Sequence, residues 1–121
     1  LSAALMGDIR TVLGDRSTID GIAYMHEHLI VDSSLIEDRF PHIHLHDVDA
    51  AVAEVSRCRG AGATLFVDAM PVSAGRDVLR LAEIARRAEV DIVAATGLHH
   101  DRYYGPRHWT NQVSIDELVD L

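Results

Sequence analysis

A chain of 121 residues with 48% hydrophobic and 25% charged residues has the make-up of one soluble globular domain, which excludes a disordered tail. Its apolar stretches are broken by charge within a few residues, short of the roughly 20 apolar residues that a membrane-spanning helix needs. The formal charge of −8, from 19 acidic against 11 basic residues, argues against nucleic acid as a partner, because the basic residues are scattered and phosphate neutralisation needs them clustered.

Residues 1–6 carry no basic leader and too short an apolar core for a secretory signal, so a cytoplasmic setting is expected. A single cysteine, Cys58, excludes an internal disulfide, and its surroundings read as one face of an amphipathic helix rather than as a catalytic thiol. Along the chain, Ile9-Arg10-Thr11-Val12-Leu13-Gly14 alternates apolar and polar residues before Gly14-Asp15, as a short strand or hairpin arm does. The apolar run Gly21-Ile22-Ala23-Tyr24-Met25-His26 fits a buried parallel strand. From Asp47, residues Val48, Ala51, Val52 and Val55 recur at helical spacing, with Asp47 placed to cap the free amides and Gly60 and Gly62 to stop the helix.

Ala63-Thr64-Leu65-Phe66-Val67-Asp68 gives a second strand, and a helix follows with Val78, Leu81, Ala82 and Ala85 on one face. Ile92-Val93-Ala94-Ala95-Thr96 gives a third strand, closed by Gly97. Ser114-Ile115-Asp116-Glu117 has capping-box spacing, and a helix launched there and ended at Leu121 suggests a truncated chain. Alternating strands and helices with continuous apolar strands predict an α/β fold of three parallel strands with right-handed crossover helices. Residues 1–121 then form the N-terminal segment of one (β/α)8 (TIM-type) barrel domain, incomplete because an eight-stranded barrel takes roughly 250 residues.

Catalytic residues of such folds gather at the C-terminal ends of strands, which here are residues 26–28, 68–70 and 97–101. Residues two apart in a strand point to the same side, so His26 and His28 project together while Glu27 points away. Two imidazoles on one face can grip a divalent cation at about 2.0–2.1 Å. The bare pattern is cheap, since His42/His44 and His44/His46 repeat it. Position separates the cases: the first pair ends a hydrophobic strand and reads as metal ligands over structural histidines. The second set lies between a strand and a helix and reads as a half-exposed loop or edge segment over a small metal-binding module.

Gly21-Ile22-Ala23-Tyr24-Met25-His26-Glu27-His28-Leu29 resembles the first signature of the phosphotriesterase family of the amidohydrolase superfamily. The resemblance continues through Gly62-Ala63-Thr64-Leu65-Phe66-Val67-Asp68, Gly75-Arg76-Asp77-Val78 and Ile92-Val93-Ala94-Ala95-Thr96-Gly97, and so covers nearly the whole chain. It implies a distorted barrel with two divalent metals, usually zinc, of which His26 and His28 bind the more buried one. It implies hydrolysis of organophosphate triesters, lactones or related esters by a metal-activated hydroxide. Ala23 and Tyr24 depart from the family's usual threonine and leucine. Leu98-His99-His100-Asp101 stands where the family often has a pocket aromatic, which makes His99 either a substrate-binding residue or a solvated loop histidine.

Asp68 reads as the cap of its own turn, with support of the metal site as the other role. Arg76 and Asp77 read as fixing the start of the following helix. The family's bridging lysine, two further metal histidines and aspartate have no counterpart in the matched segment, so no catalytic residue is assigned, and the chain alone is expected to be inactive. The competing reading is a non-catalytic fragment or interaction module that needs a complementing chain or forms a homo-oligomer. Substrate and metal identity stay open.

Overall fold

The computed structural model describes residues 8–120. The opening segment, on which the expectation of a missing leader rests, lies outside them, as does Leu121. The described chain starts with an antiparallel hairpin of β1 (Ile9–Thr11) and β2 (Gly14–Arg16), as the alternation predicts, but its turn is Val12-Leu13, and Gly14-Asp15, the expected turn, opens β2 instead. The hairpin is tied to the sheet by Val12 N–H donating to Ile92 O at 2.8 Å and by an Arg16–Asp91 ion pair at 2.9 Å.

Three strands form one parallel sheet: β3 (Ile22–Glu27), β4 (Ala63–Asp68) and β5 (Asp91–Ala94), in that order. Between β3 and β4 lie α1 (Ser34–Arg39), a 3-10 turn at Pro41–Ile43, and α2 (Val48–Gly60). α3 (Val78–Ala88) connects β4 to β5. After β5 come α4 (Asp101–Tyr104), a second 3-10 turn at Trp109–Asn111, and α5 (Ile115–Val119).

Caps account for the helix starts. Asp47 accepts from Ala50 N–H at 3.0 Å, and Asp77 accepts from the amides of Leu79 and Arg80 at 3.1 and 3.0 Å. Ser114 and Glu117 form the reciprocal capping box, and the serine amide holds the Glu117 carboxyl below its ordinary range. α2 runs through Gly60, and Gly62, at φ 101°, makes the turn into β4. Gly21 has no alternative residue: at φ 132° an added Cβ would lie 2.7 Å from Gly62 O and 2.8 Å from Thr64 Cγ2.

The main core lies where α2 and α3 cover the sheet, around Val55, Phe66, Leu81, Ile84 and Ile92. Burying each large aliphatic side chain there contributes about 1.5–3 kcal/mol. Cys58 packs against this cluster as a partly buried free thiol. A smaller cluster of Val31, Ile36, Met70, Ala74 and Tyr104 joins the loops that follow the strands.

One expectation needs correction: β3 is not buried. Ile22 is 54% and Met25 67% exposed, because β3 has β4 on one edge and no strand on the other among the described residues. β4, paired on both sides, is the buried strand. The register of β3 also shifts, with Tyr24 opposite Phe66 and Glu27 opposite Asp68, so three β3 intervals face two of β4 across the stretch that contains His26. Such irregularities re-aim side chains near sites, and the hydrophobic pattern gives no sign of this one.

Candidate functional site

At the C-terminal ends of the strands lies a cavity of about 550 Å³. Its floor is His26 and His28. Val31, His42, Ile43 and Leu45 come from the segment after β3, Ala69, Met70 and Pro71 from the end of β4, and His99 and Tyr103 from the segment after β5. The His26 and His28 rings stand edge to face with centroids 5.2 Å apart, which brings together the pair that strand alternation predicts, although His28 lies just past the end of β3. Among the described residues neither imidazole has a hydrogen-bond partner. Glu27 instead engages the ladder, its carbonyl accepting from Ala69 N–H at 2.8 Å.

Asp68 is fully buried and serves two backbones. Its Oδ1 accepts from Met70 N–H at 3.1 Å, which is the expected cap of its own turn, and its Oδ2 accepts from Leu29 N–H at 2.8 Å. The second bond fixes the backbone one residue beyond His28. Asp77 caps α3 as expected, but Arg76 does not share that work: its Nη1 donates to Ala95 O at 2.6 Å and ties the approach of α3 to the end of β5.

His99 sits in the cavity wall with its ring 4.1 Å from that of Tyr103, which stacks in turn on Phe40 at 4.9 Å. Its amide donates to Tyr104 Oη at 2.9 Å, and Tyr104 Oη donates to Val72 O at 2.5 Å. Burial raises the Tyr103 phenol above its ordinary value, with Tyr104 adding to the shift. The stack, not His99 alone, forms this side of the cavity. The family resemblance points to the His99 position for the aromatic, and so does not identify Tyr103. The Tyr103-Tyr104 pair four residues on was the available signal.

The three loop histidines are not held together. His42, in the 3-10 turn, lines the cavity of His26 and His28, whereas His44 and His46, with rings 4.4 Å apart, line a second cavity of about 360 Å³. His44 is engaged: Nε2 lies 2.7 Å from Asp32 Oδ1, and since a carboxylate only accepts, Nε2 carries the proton. The half-exposed segment expected here is what forms, pinned by a bridge between Val31 and Leu45.

Among the described residues no group of three histidine, cysteine, aspartate or glutamate side chains is placed to hold a metal. Zinc sites take nitrogen from histidine, and catalytic ones generally use three protein ligands. The unengaged His26 and His28 imidazoles therefore fit two places of such a set and do not complete it.

Parallel βα units with a cavity at the C-terminal ends of their strands share the arrangement of (β/α)8 barrel proteins. The fold is the N-terminal part of a (β/α)8 barrel. The sequence model of the phosphotriesterase family matches residues 7–121, and the chain belongs to that family. It is 34% identical over 117 residues to a phospho-furanose lactonase of Mycoplasmopsis agalactiae, covering 93% of this chain and 33% of that protein. It is 33% identical over 104 residues to an aryldialkylphosphatase of Saccharolobus solfataricus, covering 84% of this chain and 32% of that protein. The structure resembles an amidohydrolase from Mycoplasma synoviae with a TM-score of 0.83 and 28% identity, over 96% of this chain and 34% of that one. The chain spans about a third of the length of these relatives.

Proposed function

We propose that this chain supplies part of the active site of a metal-dependent hydrolase acting on phosphotriester, lactone or related ester bonds. The observation that carries the reading is the convergence of the His26 and His28 rings at the cavity floor, in a chain that belongs to the phosphotriesterase family. His26 and His28 would hold a divalent ion, for which zinc suits the donors, in a complete site of two ions. When bound, the metal supplies a lowered water pKa and polarises the ester oxygen.

The remaining roles belong to this chain's own side chains. Asp68 holds the backbone beside His28, so the two imidazoles stay oriented. Val31, Ile43, Leu45 and Met70 exclude water and favour an apolar substituent of a small-molecule ester or lactone. His99 would be a substrate-binding residue, its ring steadied by Tyr103. Tyr103, with its phenol raised by burial, stays protonated near neutrality and can donate to a substrate oxygen. The single cysteine, without a disulfide partner in the sequence, goes with a cytoplasmic setting.

The exposed edge of β3 favours a neighbour along that strand, supplied by further chain of the same protein or by a complementing chain. This 121-residue chain alone would then be inactive. Purified full-length protein should carry about two divalent ions per chain, as the resemblance to the two-metal hydrolases implies. It should also hydrolyse an ester, a lactone or an organophosphate triester, and lose that activity on chelation. Protein without stoichiometric metal that hydrolyses none of the three would sink the reading.

A further inference from the structure

One part of the cavity lining is a loop with no long element of its own. Residues 41–45 leave α1 through a 3-10 turn and fold back on the segment after β3. There Val31 N–H donates to Leu45 O at 2.9 Å and Leu45 N–H donates to Val31 O at 3.1 Å. Two backbone hydrogen bonds are little to hold a wall made of Val31, His42, Ile43 and Leu45. The next residue, Asp32, supplies more. Its amide donates to Gly75 O at 3.3 Å, and its carboxylate has a partner on each oxygen. Oδ1 accepts from His44 Nε2 at 2.7 Å, and Oδ2 accepts from Arg80 Nη1 at 2.5 Å. Arg80 Nε in turn lies 3.2 Å from Asp77 Oδ2, the cap of α3.

One carboxylate thus joins the loop histidine, the strand exit and the first turn of α3. Its own side chain is 24% exposed and that of His44 18%, so the contacts are shielded, unlike the free surface pairs of this chain. Two directional bonds on one small side chain fix orientation as well as proximity. We propose that Asp32 is a positioning residue: through His44 and Arg80 it sets the 41–45 segment as a fixed wall of the cavity, and that wall determines how tightly substrate is held. The binding consequence rests on the hydrolase reading above; the positioning does not.

The test uses full-length protein and three variants, His44→Ala, His44→Gln and Asp32→Asn. Amide hydrogen exchange at Leu45 and Val31 reads the wall directly, and 4-nitrophenyl butyrate serves as the ester probe. In His44→Ala and Asp32→Asn, exchange at Leu45 should rise about tenfold or more while α3 amides keep their protection. KM should rise about fivefold with kcat within about twofold, the pattern of lost binding without lost chemistry. His44→Gln, whose side-chain amide can still donate to Asp32, should recover both. Unchanged exchange at Leu45 overturns the proposal. So does faster exchange with wild-type KM, since the tie would then be structural only.

If wild-type protein hydrolyses no ester, the hydrolase reading fails separately, and the dissociation constant of the unreacted probe takes the place of KM in the same comparison. Should His44→Ala fail to fold, Arg80→Gln removes the other side of the clasp from a half-exposed helix position and carries the same readouts.

Discussion

His26/His28 and His44/His46 have the same spacing in the sequence and opposite fates in the structure. The first pair sits at the end of β3, with rings edge to face at the floor of a cavity and no hydrogen-bond partner among the described residues. The second pair lies in a loop with its rings tilted against each other, and His44 is committed to Asp32. An imidazole whose proton is already given to a carboxylate serves architecture, while one left without a partner at a strand end is available to a ligand. Spacing selects which residues face the same way; partners decide what they do there.

The sharpest way to break this contrast is to remove each pair from the full-length protein and measure metal content and ester hydrolysis. Replacing His26 and His28 by alanine should strip the metal and lower activity by more than the roughly 10–100-fold typical of losing an outer supporting partner. Replacing His44 and His46 by alanine should leave metal content unchanged. Metal loss in the second double variant, or retention in the first, would reverse the assignment of the two pairs.

The next effect falls on the residue that supports the first pair. Asp68→Ala leaves the Leu29 and Met70 amides without acceptors at a buried position and should cost about 2–4 kcal/mol of stability. Asp68→Asn keeps one accepting oxygen and should cost about half as much, since one of the two amides keeps its partner. Urea unfolding of full-length protein measures both, and a loss in Asp68→Ala no greater than that of an exposed replacement would deny Asp68 this role.

A smaller effect is expected where the second region docks. Gly75 has φ 117°, and an added Cβ would lie 2.7 Å from Asp32 N and 3.0 Å from the Val31 backbone. Gly75→Ala should therefore cost about 1–3 kcal/mol from local strain. It should also loosen the 41–45 wall, visible as a lowered Tm with faster exchange at Leu45. An unaltered Tm would mean that the backbone at Gly75 gives way freely.

The contrast between the regions also explains what the sequence made legible. Helical periodicity from Val48 and from Val78, with Asp47 and Asp77 as caps, located α2 and α3, because local hydrogen bonds and one buried face determine both. The pairing of His26 with His28 was expected from strand alternation, while the register shift at His26 was not. The exposure of β3 did not follow: an apolar run tells of a surface to be covered, and which strand covers it is a matter of topology. The Asp32 clasp was equally hidden. Asp32 and His44 are twelve residues apart and Arg80 forty-eight from Asp32, so no local pattern links them. Tyr103 reaches the cavity only because α4 turns the chain after His100.

The smallest effect concerns the charge on the clasp itself. The hydrogen bond from His44, followed by that from Arg80, holds the Asp32 carboxyl below its ordinary value of 3.8. A carboxylate with a depressed folded pKa contributes stability that is fully present above the unfolded value and disappears as pH falls through the folded one. The stability difference between wild type and Asp32→Asn should thus be largest well above 3.8, shrink as pH falls through that value, and vanish once the folded carboxyl is protonated. Solvent screening at the more exposed Arg80 side of the clasp limits the difference to about 1 kcal/mol. Urea midpoints of the two proteins across that acid range measure it. A difference that persisted undiminished at the acid end would mean that Asp32 holds the loop by its shape and not by its charge, leaving the His44 bond as the sole directional element of the clasp.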